Sequence, residues 1–249
     1  MRLILLALAL IGAPPFAAPL FAATKPAPHR PVHRAAPAAP RGPINWVNTF
    51  EATPEGGVRM GNPAAKVKLI EYGSRLCPYC AHFHAESLTT LRAKYVASGK
   101  VSYEFRDYPV HGALDIPAIL IGHCVSTANY FPLLDDMMAS QPKILAHEEA
   151  ALKAAQQQGI DKAPPPRLAT FFAEQLGLID FMAKRGMAPV RTRACLAAKP
   201  GFAALAKRYD DANRLYNVRG TPTFIVNGKV ADGVNDWAAL EPLLKAAGA

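Results

Sequence analysis

At 249 residues the chain has room for one large domain or two small ones, and it can bury a core that needs no metal or disulfide to hold it. With 51% hydrophobic and 19% charged residues, the composition is that of a soluble globular protein. Of the net charge of +9, five cations (Arg2, Lys25, Arg30, Arg34 and Arg41) precede residue 46, so a body carrying only +4 gives little ground for nucleic-acid binding.

Residues 1–23 read as a secretory signal, with Met1-Arg2 as the positive start, Leu3 to Gly12 as the apolar run, and small residues at Ala17, Ala18, Ala22 and Ala23. The run is too short to span a bilayer as a helix, and cleavage is expected near Ala23. Export would place all four cysteines in an oxidising compartment, where paired thiols persist as disulfides. Residues 24–45 are rich in proline and alanine with scattered cations, a semi-rigid extended linker. His29 and His33 within it read as solvated side chains.

From Trp46 the pattern changes. Turn signals at Glu55-Gly56-Gly57 and Gly61-Asn62-Pro63 flank Val58-Arg59-Met60, which is expected to form a small edge strand. Polar and apolar residues alternate from Lys66 to Leu69, as in a strand, with Val67 and Leu69 on one face. Glu71 continues that face. A carboxylate there is paired, exposed at the strand end, or held protonated.

After Gly73 comes Cys77-Pro78-Tyr79-Cys80. Proline is favoured at the first helical position, so Cys77 is the expected N-cap of a helix from about Pro78 to Ser98, with Phe83, Leu88, Leu91 and Tyr95 as its buried stripe. Val101, Tyr103 and Phe105 alternate with polar residues in a second, half-buried strand. A right-handed crossover would make the two strands parallel neighbours.

Residues 112–216 hold helical signals at 116–127, 130–139, 147–158, 168–186, 190–198 and 201–216, with breaks expected at Pro132, Pro142, Pro164 to Pro166, Pro189 and Pro200. They read as an all-helical domain inserted into a sheet domain made of 46–111 and 217–249. The sheet resumes with Thr223 to Val226 and Lys229 to Asp232, joined by the hairpin signal Asn227-Gly228. Trp237, Leu240 and Leu244 stripe a last helix, which Pro242 is expected to kink or shorten.

A CxxC pair is a structural disulfide, part of a metal site, or a redox centre. Closing so short a loop removes little unfolded-state entropy, so stability is a poor reason for the bond. Zinc normally takes four ligands, and no tetrahedral set is evident; copper on two thiolates is the metal reading that stands. The redox reading uses the helix start, where free N–H groups and the dipole favour a Cys77 thiolate. Cys80, one turn in, is then the buried resolving thiol. Arg75, His82 and His84 either add positive potential or are ordinary surface and helix-edge residues.

The run Glu71-Tyr72-Gly73-Ser74 before the dithiol, the helical insertion, and Arg219-Gly220-Thr221-Pro222-Thr223-Phe224 together resemble the thioredoxin superfamily. More narrowly they resemble the periplasmic DsbA-like thiol:disulfide oxidoreductases, over roughly Trp46 to the C-terminus. The resemblance implies an α/β thioredoxin fold with an inserted all-helical domain and a catalytic pair at Cys77 and Cys80. It also implies a cis-proline at Pro222 that, with Thr221, meets the substrate chain, and a proton-shuttling acid at Glu71. Related proteins with a helical domain sometimes carry a second, non-catalytic disulfide, which Cys124 and Cys195 would supply across 71 positions; two buried free thiols are the alternative.

The resemblance further implies transfer of the disulfide to reduced exported proteins through a mixed disulfide at Cys77, without cofactor or metal, in a monomer reoxidised by a membrane quinone-linked partner. Tyr79 departs from the histidine of the best-known oxidases, and Thr221 from their valine; both leave a disulfide isomerase or reductase as the runner-up. A non-enzymatic copper- or zinc-binding CxxC protein is the rival from another class.

Overall fold

The computed structural model describes residues 44–249. The expected leader over 1–23, the linker up to Pro43, and with them His29 and His33, lie outside the described residues.

Six strands form one sheet in the order β1-β2-β4-β3-β5-β6. They are β1 (Phe50–Ala52), β2 (Val58–Gly61), β3 (Val67–Gly73), β4 (Val101–Asp107), β5 (Thr223–Val226) and β6 (Lys229–Val230). β3 and β4 run parallel, joined by helix α1 (Pro78–Thr90), while β5 is antiparallel to β3 and β6 to β5. This is the α/β thioredoxin arrangement expected. Val58–Gly61 is not the edge strand, because β1 pairs with its outer side. The β5–β6 turn places Asn227 and Gly228 both at positive φ, 49° and 81°, as a two-residue hairpin with matching twist requires.

β4 is buried along its whole length, not on one face only. Tyr103 and Phe105 enter the main core with Phe83 and Leu91, whereas the polar residues satisfy one another on the opposite face. There Arg106 pairs with Glu104 at 2.6 Å and donates to the Tyr72 hydroxyl at 3.1 Å, and Thr53 donates to Glu104 at 2.6 Å. Polar alternation marks a solvated face only when nothing covers it.

After β4 come α2 (Ile116–Gly122), α3 (Thr127–Leu145), α4 (Glu148–Gln157), α5 (Pro165–Gln175), α6 (Leu178–Ala183), α7 (Pro189–Ala197) and α8 (Lys199–Tyr216). α3 runs through Pro132 and Pro142, where breaks were expected. Each proline costs a backbone hydrogen bond, but Phe131, Leu134, Met137, Met138 and Ile144 are buried along the helix and packing outweighs the loss. The segment 168–186 divides at Gly177 into α5 and α6. Helix α9 (Trp237–Ala247) also continues through Pro242, anchored by buried Leu240 and Leu244. α2 and α4 to α7 gather a second core, to which α3 adds Leu133, Met137 and Ile144 and the dithiol loop adds Leu76. α8 lays Ala212 with Tyr72 and Ile225 of the sheet.

Candidate functional site

β3 delivers the chain to the dithiol, and the loop between them is fixed from three sides. The Ser74 hydroxyl accepts from the Leu76 N–H at 3.0 Å and donates to Asp115 at 2.8 Å, and the Cys77 N–H reaches the Ser74 carbonyl at 3.2 Å. From α3, the Gln141 amide donates to the carbonyls of Arg75 and Cys77 at 3.1 and 3.0 Å. Arg75 is fully buried and grips Asp107 with two hydrogen bonds of 2.7 and 3.1 Å. Tyr130 and His123 add contacts to the same carboxylate at 2.6 and 2.9 Å.

The expectation that Arg75 is a surface residue or a source of potential at the dithiol is therefore corrected. Burial alone would lower the Arg75 pKa, but Asp107 overrides it and raises it. Burial would likewise raise Asp107, yet Arg75 and His123 hold it well below the usual carboxylate range. Gly122 of α2 is required here, since a Cβ would stand 2.3 Å from the Arg75 guanidinium carbon. His82 is exposed and pairs with Glu86 at 3.0 Å.

Cys77 caps α1, with Pro78 in its first turn. Both cysteines are unbonded thiols and both are buried. The Cys77 pKa is lowered to about 5. A hydrogen bond from the Cys80 thiol is the leading cause; burial opposes it, and the Thr221 hydroxyl with the Tyr79 and Cys80 N–H groups adds further stabilisation. By distance and angle that hydroxyl is buried without a hydrogen-bond partner among the described residues, and the direct contact of the sulfur is with the Thr221 carbonyl. Burial pushes the Cys80 thiol well up, aided by its bond to Cys77 and by the negative charge of Glu71. One sulfur is thus held ionised and the other neutral.

Across from the dithiol, the Cys77 sulfur lies 3.3 Å from the Thr221 carbonyl oxygen, and the Thr221–Pro222 peptide is cis. Glu71 is completely buried; of the three environments left open for it, the structure gives a buried carboxyl paired with Tyr103 and approached by His84 at 3.4 Å. Its Oε2 accepts from the Tyr103 hydroxyl at 2.6 Å, and its Oε1 has no partner among the described residues. His84 is buried beside this pair. Cys124 and Cys195 are joined by a disulfide that ties the end of α2 to α7, apart from the dithiol.

Several site residues carry no local sequence signal. Gln141 and Asp107 come from elements distant in the chain, while His111 gains importance only through Asp115, which accepts from its N–H at 2.7 Å and approaches its Nδ1 at 3.3 Å. That contact, opposed by burial, raises the His111 pKa, and the Cys77 charge adds to the rise. Ser74, two residues before Leu76, does carry a local signal, since a serine hydroxyl there can bond the backbone and form a turn. No group of three or more His, Cys, Asp or Glu among the described residues is placed to hold a metal ion.

The family model described as Thioredoxin matches residues 53–246. A Rickettsia conorii protein named as a candidate protein-disulfide oxidoreductase is 25% identical over 169 residues, 68% of this chain and 52% of that protein. A Rickettsia bellii protein of the same description is 31% identical over 98 residues, 38% of each chain. The chain therefore spans about half or less of the curated relatives it matches. Among solved structures, the protein-disulfide isomerase from Novosphingobium aromaticivorans superposes with a TM-score of 0.71 at 32% identity, over 77% of this chain and 97% of the other. Wolbachia pipientis alpha-DsbA1 shares the fold, with a TM-score of 0.57 at 19% identity over 76% and 88% of the two chains.

Proposed function

This chain belongs to the DsbA-like disulfide oxidoreductases of the thioredoxin superfamily, and on that premise we propose that it is an exported disulfide donor. It passes the Cys77–Cys80 disulfide to cysteines of secreted or periplasmic proteins. A substrate thiolate attacks the Cys77 sulfur and the bond to Cys80 breaks, leaving a mixed disulfide at Cys77 while Cys80 departs as thiolate and takes up a proton. A second substrate thiolate then attacks the substrate sulfur of the mixed disulfide. The substrate leaves oxidised, Cys77 leaves as thiolate, and two electrons have passed to the protein.

The observation that carries this reading is the depressed Cys77 pKa of about 5, opposite a raised Cys80. A low-pKa thiolate leaves readily, and stabilising it stabilises the reduced protein, which makes the disulfide form an oxidant. Glu71 is the proton carrier for Cys80. Thr221 and Pro222 are the backbone against which a substrate chain lies. Reoxidation falls to a membrane quinone-linked partner, and the protein acts as a monomer.

Export rests on the leader over residues 1–23; no helix among the described residues is long and apolar enough to cross a membrane. Isomerase or reductase activity is the second reading, favoured by Thr221 ahead of the cis-proline and by the likeness to the Novosphingobium protein-disulfide isomerase. The test is refolding of a reduced, disulfide-containing protein by the oxidised chain. Wild type is expected to restore its activity and Cys77→Ser to abolish that; unchanged activity in the variant would sink the reading. Tight stoichiometric Cu(I) binding with no oxidation of thiols would favour the metal-clip rival instead.

A further inference from the structure

Exchange at Cys80 moves a proton into and out of a sealed place. Cys80, Glu71 and Tyr103 are each 0% exposed, so none of the three can trade that proton with water directly. His84, one turn along α1 from Cys80, stands between them and the outside. Its Nε2 lies 3.4 Å from Glu71 Oε2 and 3.3 Å from the Tyr103 hydroxyl, and its ring packs edge-on against Phe105. The same side chain forms part of the wall of a groove of about 610 Å³ between α1 and α3, together with Ala81, Arg92, Asp135 and Gln141. Nδ1 is buried and has no hydrogen-bond partner among the described residues. A histidine kept only for packing would satisfy both ring nitrogens, because an unpaired buried polar atom is costly.

We propose that His84 relays protons between the Glu71–Tyr103 pair and water in the groove between α1 and α3. This rests on the exchange reading above and assigns the route its proton takes. When Cys80 attacks, its thiol proton passes to the Glu71 carboxylate; Glu71 returns to the carboxylate by giving a proton to His84 Nε2, and the proton on Nδ1, an atom buried at rest, passes to a water that enters from the groove His84 lines. The sequence runs in reverse when Cys80 becomes the leaving group, so one proton is carried per exchange. His84 touches no reacting sulfur and acts through Glu71, as a positioning residue. The groups facing it are Glu71 from β3, the Tyr103 phenol from β4, Cys80 on its own helix, and the Arg92–Asp135 pair at 2.7 and 2.9 Å across the groove.

The experiment is stopped-flow resolution by Cys80 of a mixed disulfide between Cys77 and glutathione, in the full chain from pH 5 to 9. His84→Gln is expected to slow resolution by on the order of 100-fold at pH 7, the size of a lost acid–base contribution, with the Cys77 thiolate titrating as in wild type. The double variant with Glu71→Gln should be no slower than Glu71→Gln alone, because both groups serve one path. His84→Ala should be slowed alike and be restored by added imidazole. Wild-type resolution should be slower in D₂O than in H₂O, a readout that needs no variant to fold. Equal rates in the two solvents, wild-type rates in both His84 variants, or slowing that adds to that of Glu71→Gln and ignores imidazole would overturn the relay. If wild type forms no mixed disulfide at Cys77, the exchange reading itself fails.

Discussion

The Cys77 sulfur and the Thr221 carbonyl oxygen lie 3.3 Å apart although 144 positions separate the residues. β3 and β5 are adjacent antiparallel strands, so the end of one and the start of the other meet at a single edge of the sheet. The N–H groups of the helix start and Thr221 both lower the pKa of that sulfur.

The Cys77 thiolate should titrate with a midpoint of about 5, followed by its ultraviolet absorbance or by alkylation rate. Its folded value lies below the ordinary 9.0, so its contribution to the stability of the reduced protein is complete above pH 9 and is lost as pH falls through 5. His111, whose pKa is raised, has the opposite sign, with stability lost as pH rises; it is present in both redox forms, and comparing them removes most of its effect. The denaturation midpoint of the reduced form relative to the oxidised form is expected to climb between pH 5 and 9. A flat difference across that window would contradict the thiolate assignment.

Thr221→Val keeps the backbone carbonyl and removes the hydroxyl. Thr221 is among the groups that lower the Cys77 pKa, so loss of its hydroxyl should raise that pKa. The rate of Cys77 alkylation at pH 5 reads the change directly, and an unaltered rate would mean that the hydroxyl does not serve the sulfur.

Gly122→Ala sets a methyl group 2.3 Å from the Arg75 guanidinium carbon. Overpacking of a filled core costs about 1–3 kcal/mol, and displacing a buried charge from its partner adds to that. We expect loss of at least about 2 kcal/mol in denaturant unfolding, with a looser dithiol loop. Gly220→Ala is the control, since a Cβ there meets nothing within 4 Å. Equal stability of the two variants would show that Arg75 is free to move.

Replacing Cys124 and Cys195 by serine opens a loop spanning 71 positions. The chain-entropy relation puts the cost at about 4 kcal/mol, whereas thiol–disulfide exchange at the dithiol should persist below the unfolding temperature. Thermal denaturation and a refolding assay on the same variant separate the two effects.

How much of this is legible in the sequence follows from how local each signal is. Cys77 at a helix start, the Asn227-Gly228 turn and the alternation of β3 and β4 are set by neighbours a few residues apart, and these were found. The covered polar face of β4 was not, because only packing from other elements reveals that Glu104 and Arg106 pair inside the molecule. The prolines of α3 misled for the same reason: a local rule predicts a break, and burial of Phe131, Met137 and Ile144 decides otherwise. The burial of Arg75 needed Asp107, Tyr130 and His123, brought together from β4 and the helices. Glu71 was visible as a carboxylate on an apolar face, but its partners Tyr103 and His84 lie on other elements.

The central claim is that the Cys77–Cys80 disulfide is a donor, and its reduction potential tests this most directly. Equilibrating the full chain with glutathione buffers and reading the fraction of reduced dithiol gives the value. The account predicts a potential above roughly −200 mV, toward the oxidising end of the range for such proteins. A value at or below that, toward the roughly −270 mV of a reducing thioredoxin, would contradict it.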